Sequence, residues 1–188
     1  MTRTRAKVIA ATLDLIAERG IPATSIESVC ERSGVAKTTL YRHWPDQHHL
    51  VLEAIASTIR PPSDPDTGTL REDLVALLTG LAVALQRGPA AQLMPALVDA
   101  AERDPAFAAL HQAEATGRHE VILAVIRRGI SRGELPAGTK DTDVLDLLGG
   151  PILYRKWMSG AAIRRSFVTT VVGVVLAGLS APQPRILR

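Results

Sequence analysis

SGVAKTTLYRHWPD, Ser33 to Asp46, places two threonines, a tyrosine, a lysine, an arginine and a histidine around a few apolar residues. Gly34 can take the positive φ of a tight turn. After it Val35 and Leu40 point inward, and Lys37, Thr38, Thr39, Tyr41 and Arg42 are left facing out on a short helix that Pro45 stops. Upstream, TSIE (Thr24–Glu27) fits a capping box and precedes an i, i+3, i+4 stripe of Ile26, Val29 and Cys30, so a helix of about two turns leads into Gly34.

Two short helices joined by a glycine turn, the second with a thin apolar face and a donor-rich polar face, are what a helix-turn-helix requires. The second helix would then enter the major groove. There Lys37 can reach base edges or phosphate, Thr38 and Thr39 offer hydroxyls and methyls for base or phosphate contact, and Tyr41 and His43 suit backbone oxygens. An exposed helical hairpin with solvated charges would share the pattern, because many small α-proteins place a glycine turn between helices.

Around this stretch the chain reads as helices. Lys7 to Arg19 repeats apolar residues at helical spacing (Ile9, Ala10, Leu13, Ile16, Ala17), with Gly20 placed to end it. Asp46 is a good N-cap for a fourth helix through Leu50, Val51, Ala54 and Ile55 to about Arg60. PPSDPDTG (Pro61–Gly68) reads as a linker. Longer helical patterns follow at about 69–87, 89–103 with Pro95 inside, and Asp104-Pro105 to about Arg132. Another starts near Thr142 and bends at Gly149-Gly150-Pro151, and the last, about 166–180, is apolar nearly all round. With 188 residues, 46% hydrophobic and only 3% aromatic, the composition favours packed helices over sheets, so the expected fold is all-α.

The single cysteine, Cys30, excludes an intramolecular disulfide framework and agrees with a reducing cytoplasm. No secretory signal is read at the N-terminus, and FVTTVVGVVLAGLSA is shorter than the roughly 20 residues a membrane span needs. Net charge is +3, too mild by itself to demonstrate a polyanionic partner. Residues 1–60 hold eight Lys/Arg against six Asp/Glu, and Arg3, Arg5 and Lys7 form either a solvated helix start or a phosphate-seeking arm. Of the histidines at 43, 48, 49, 111 and 119, the His48-His49 pair is read as surface or phosphate-facing, with no metal site expected. No nucleophile elbow, phosphate loop or HExxH occurs, so neither catalysis nor a cofactor is expected.

The run ATSIESVCERSGVAKTTLYRHWPDQHHLVLEAI (Ala23–Ile55), with GVAKTTLYRHW at its centre, resembles the TetR/AcrR family of bacterial transcriptional regulators. The resemblance is strongest over about residues 5–56. It implies an N-terminal three-helix DNA-binding domain (1–56, with helix four, about 46–60, connecting the domains) and a C-terminal ligand-sensing, dimerising domain (57–188). By analogy Lys37, Thr38, Thr39, Tyr41 and His43 occupy recognition-helix contact positions, Ser25 lies near a phosphate at the start of helix two, and Arg42 adds a phosphate contact. The implied partners are a double-stranded DNA operator, a second copy of the chain and a small-molecule effector whose contacts are unknown. Two departures stand out: Ala36 where the family often has a capping serine, and Gln47 where a lysine is common. Both should weaken sequence-independent affinity, with His48, Arg3 or Arg5 compensating in part.

His111, Arg118, His119, Tyr154, Arg155 and Trp157 either line a cavity or belong to packing and solvated faces. A pocket built of Leu, Val, Ala, Met94 and Phe107 would take an apolar effector. The rival reading is a helical ligand-binding or enzymatic protein whose helix-turn-helix is incidental.

Overall fold

The computed structural model describes residues 3–58, 61–87 and 90–181. Among these it contains nine helices: α1 (Arg3–Arg19), α2 (Ile26–Ser33), α3 (Lys37–His43), α4 (Gln47–Ala56), α5 (Leu70–Arg87), α6 (Ala90–Ala101), α7 (Pro105–Ser131), α8 (Asp141–Trp157) and α9 (Arg165–Ser180). The all-α class follows from the sequence as read. None of these helices is long and apolar enough to cross a membrane.

Contacts divide the chain into two compact units, one of residues 1–60 with 87–116, the other of 61–86 with 117–188. In the first, Val8, Ile9, Leu15, Ile26, Val29, Leu40, Trp44, Leu50 and Ala54 form a core among α1–α4. A second cluster joins Ile16, Ile21, Val51 and Ile55 to Leu93 and Leu97 of α6 and Phe107 of α7. Phe107, one of the residues named for an apolar pocket, packs in this unit's core. In the second unit, leucines and valines of α5, α7, α8 and α9 interlock, with Leu74, Ile126, Val144, Leu148, Ile152, Val168 and Val172 at its centre.

Several local expectations are corrected. The α1 stripe is Val8, Ile9, Ala11, Thr12, Leu15 and Ile16, while Ala10 is exposed, because the helix packs on neighbours at more than one side. The capping box sits one residue later than read. Ser25 is the N-cap, paired reciprocally with Ser28, while the Thr24 hydroxyl turns inward to donate to the Gly20 carbonyl at 2.9 Å. The α4 helix ends at Ala56 in a turn, and the expected end near Arg60 lies outside the described residues, as does Pro89 at the start of the 89–103 pattern.

The Pro/Asp-rich linker is strapped down. Arg128 of α7 donates to both oxygens of Asp64 at 2.7 Å and to Asp73 at 3.2 Å, and Arg132 reaches Asp66 at 3.0 Å. Gly129, one turn of α7 away from the strap's far end, has no room for a side chain. A Cβ there would stand 2.5 Å from the nearest Leu70 methyl, and Leu70 is itself buried.

Candidate nucleic-acid interface

Gly34 adopts φ 68°, ψ 20°, and its N–H donates to the Cys30 carbonyl, closing α2 in the left-handed conformation that favours glycine. Two residues later the chain re-enters a helix at Ala36, which supplies no side-chain cap. The seven-residue α3 has one fully buried side chain, Leu40. Its C-cap residue Trp44 is also buried, and the indole N–H donates to Glu53 at 2.9 Å. Leu40 and Trp44, one turn apart, hold α3 against α1, α2 and α4 from a single side.

The opposite side is open. Lys37, Thr38, Tyr41, Arg42 and His43 are exposed, Tyr41 by 48%, and Thr39 is half-buried. Positions 37, 38, 41 and 42 share one helix face, so the structure brings together an ammonium, a hydroxyl, a phenol and a guanidinium. Ser25 sits apart, at the start of α2, with its hydroxyl accepting from the Ser28 N–H at 3.1 Å. Glu27 in the same turn forms an ion pair with Lys37, linking the starts of α2 and α3. The Lys37 bond is the main reason the Glu27 carboxyl is held below its ordinary range, and the same bond raises the Lys37 ammonium. Lys37 also lies 5.8 Å from the Tyr41 ring centroid.

Carboxylates engage other cations of this unit. Arg5 donates to Glu53 at 2.8 Å, so the side chain expected to stand in for a missing phosphate contact is held by α4. That bond, then the Trp44 indole, keeps Glu53 below the usual carboxylate range despite partial burial. Arg32 forms a two-pronged pair with Glu18 at 2.8 and 2.7 Å. Sequence reasoning missed Glu27, Trp44 and Glu53; the Leu40–Trp44 spacing of one helical turn was the available signal for the tryptophan. Asp46, His48 and His49 at the start of α4 bring potential ligand atoms within 4.8 Å of one another.

A donor-rich helix face behind a glycine turn, on a rigid three-helix support, defines the helix-turn-helix class of DNA-binding regulators. Residues 8–54 match the model of bacterial regulatory proteins of the tetR family, and residues 64–175 match the tetracyclin repressor-like C-terminal domain. The chain belongs to the TetR family of transcriptional regulators and is not an enzyme. Over 181 residues it is 28% identical to the HTH-type transcriptional regulator YdeS of Bacillus subtilis, covering 95% of this chain and 90% of that one. It is 27% identical over 183 residues to the DNA-binding transcriptional repressor TetR of Mycobacteroides abscessus, covering 96% and 95%. The fold also matches the crystal structure of FadR from Bacillus subtilis in complex with stearoyl-CoA, with TM-score 0.72 at 15% identity over 92% and 98% of the two chains.

Proposed function

We propose that this regulator is a repressor that binds a near-palindromic operator as a homodimer and is released by a small, largely apolar effector. Residues 1–56 would read DNA and residues 57–188 would sense and dimerise, in the cytoplasm. The observation that carries the DNA reading is the exposed α3 face of Lys37, Thr38, Tyr41 and Arg42. In the groove Thr38 would meet base edges while Lys37, Tyr41, Arg42 and His43 meet bases or phosphates, with Thr39 and Ser25 at its margins. Good direct base contacts contribute about 1–3 kcal/mol each. Thr38→Ala is therefore expected to change base preference, whereas Tyr41→Phe should weaken operator and random DNA alike. Binding isotherms on both DNAs that match wild type for both variants would refute the assignment.

The repressor sense draws on the description of the Mycobacteroides abscessus relative. Dimerisation is supported by an exposed apolar surface on α8 and α9. Leu147, Leu153, Tyr154, Trp157 and Met158 are 39–73% exposed, and Val174 is 67% exposed. Monomeric soluble proteins seldom leave so much apolar surface contiguous, and pairing each helix with its two-fold copy would cover it as a four-helix bundle. Val171 of α9 is 8% exposed and belongs to the protomer's own core, so it does not report on this interface. The informative substitutions are Val174→Glu and Tyr154→Glu, expected to give folded monomers in sedimentation at micromolar concentration. A wild-type monomer under those conditions would exclude the bundle.

The effector reading rests on FadR, whose structure holds stearoyl-CoA. Of the residues considered for a pocket, Arg155 packs its guanidinium 3.7 Å from the Phe167 ring centroid, and Tyr154 and Trp157 face outward. A dimer reads two half-sites only when its heads match groove spacing, about 34 Å or a multiple. A ligand that prefers a mismatched spacing weakens operator binding by its affinity difference between the two states, commonly about 5- to 150-fold.

A further inference from the structure

Asp46, His48 and His49 lie together at the first turn of α4, apart from the exposed α3 face that carries the DNA reading. The Asp46 carboxylate caps the helix, accepting from the His49 N–H at 2.9 Å, and the same oxygen lies 2.8 Å from His49 Nδ1. The two imidazole rings stand nearly perpendicular with centroids 5.9 Å apart. The ligand atoms of all three residues fall within 4.8 Å of one another. Around an ion with bonds of ~2.1 Å, tetrahedral donors stand about 3.4 Å apart. The longest separations must then contract by about one ångström and the 2.8 Å Asp46–His49 pair must open slightly, and the Asp46 and His49 side chains are more than half exposed and can do both.

His48 is held from behind. Its ring meets Phe107 edge-on, with centroids 5.0 Å apart, and its Nε2 lies 3.0 Å from an Asp104 oxygen. That nitrogen is shielded from solvent and lacks hydrogen-bond alignment with any partner among the described residues. Asp104 is itself fixed by the Ala106 N–H at 2.8 Å. Whichever ring nitrogen of His48 takes an ion, Asp104 either orients that ring or joins as a fourth ligand, the arrangement by which carboxylates tune metal-bound histidines. A cleft of about 350 Å³ lined by Ile21, Asp46, Gln47, His48, Val51 and Phe107 opens beside the group.

We infer that Asp46, His48 and His49, backed by Asp104, form a binding site for a divalent transition-metal ion of the zinc class. Two imidazoles with a carboxylate suit zinc, cobalt or nickel, and are a poor set for calcium or magnesium, which prefer oxygen donors. The positive end of the α4 dipole disfavours a cation, and the Asp46 and Asp104 charges offset it. The bound ion would tie the first turn of α4 to the start of α7 within one compact unit, a constraint applied beside the DNA-reading helix.

The test is titration of the full-length protein with Zn²⁺ by calorimetry and with Co²⁺ by its visible absorption. One ion per chain should bind, with His49→Ala and Asp46→Asn weakening it at least tenfold and His111→Ala leaving it unchanged. Asparagine also caps helices well, so Asp46→Asn separates loss of a ligand from loss of the cap. Saturating Zn²⁺ should raise the melting temperature of wild type and not of His49→Ala. Equal binding by wild type and His49→Ala, or no wild-type binding at micromolar metal, would overturn the site.

Discussion

Truncating Leu40 to alanine should destabilise the DNA-reading unit by about 2–5 kcal/mol and lower operator affinity at least tenfold. The argument is geometric. Leu40 has no exposed surface and is the only fully buried residue of α3, a helix of seven residues too short to persist on its own propensity. Removing its side chain leaves a cavity between α1, α2 and α4 and deprives the reading face of its main purchase on the fold. Leu40→Met nearly conserves volume and should cost less than about 1.5 kcal/mol, with binding retained. Chemical denaturation followed by operator titration distinguishes the two. A Leu40→Ala protein with wild-type stability and affinity would show that α3 is held by something other than its leucine.

The second large effect is expected at Asp73, which is 1% exposed at the start of α5. Burial alone would push this carboxyl up, but the hydroxyl and N–H of Thr67 at 2.6 Å and the Arg128 guanidinium outweigh it and hold it below the usual range. Asp73→Ala removes charge-assisted bonds worth about 1.5–3 kcal/mol and should lower the melting temperature by roughly 3–12 °C. Because the folded carboxyl is depressed, its stabilisation is present above the unfolded value of about 3.9 and is lost as pH falls through the folded one. The gap between wild type and variant should accordingly be constant near neutrality and close below about pH 4. A gap that persists undiminished at pH 3 would mean that the charge contributes nothing there.

What the sequence disclosed tracks the range of the forces involved. Helix type and number were legible because caps and apolar periodicity are local: Gly34, Asp46, Pro105 and the run after Arg165 each mark an end or a face by themselves. The TSIE box was misplaced by one residue because Thr24 and Ser25 are both competent caps, and only the Gly20 carbonyl, which takes the Thr24 hydroxyl, decides between them. Long-range pairing left no trace in local pattern. Nothing near PPSDPDTG announces Arg128, 64 residues on, and the apolar look of α6 does not say that Leu93 and Leu97 pack with Ile16 and Ile55. At the candidate interface the outward face of α3 was readable from periodicity, whereas Glu27 on Lys37 and Glu53 on Arg5 join residues ten and 48 apart.

Those ion pairs change how the protein's charge should be counted when it meets DNA. Each phosphate neutralised by a lysine or arginine releases condensed counterions from the duplex, giving a log–log salt slope of about −0.9 per contact. A cation that already holds a carboxylate must first exchange one anion for another, and the carboxylate then takes up a counterion of its own. Lys37, Arg5 and Arg32 each begin in that state, with Glu27, Glu53 and Glu18 as their anions. Wherever one of these cations meets phosphate, its ion release would be partly cancelled within the protein, and a salt slope shallower than the tally of basic residues implies is the expected measurement.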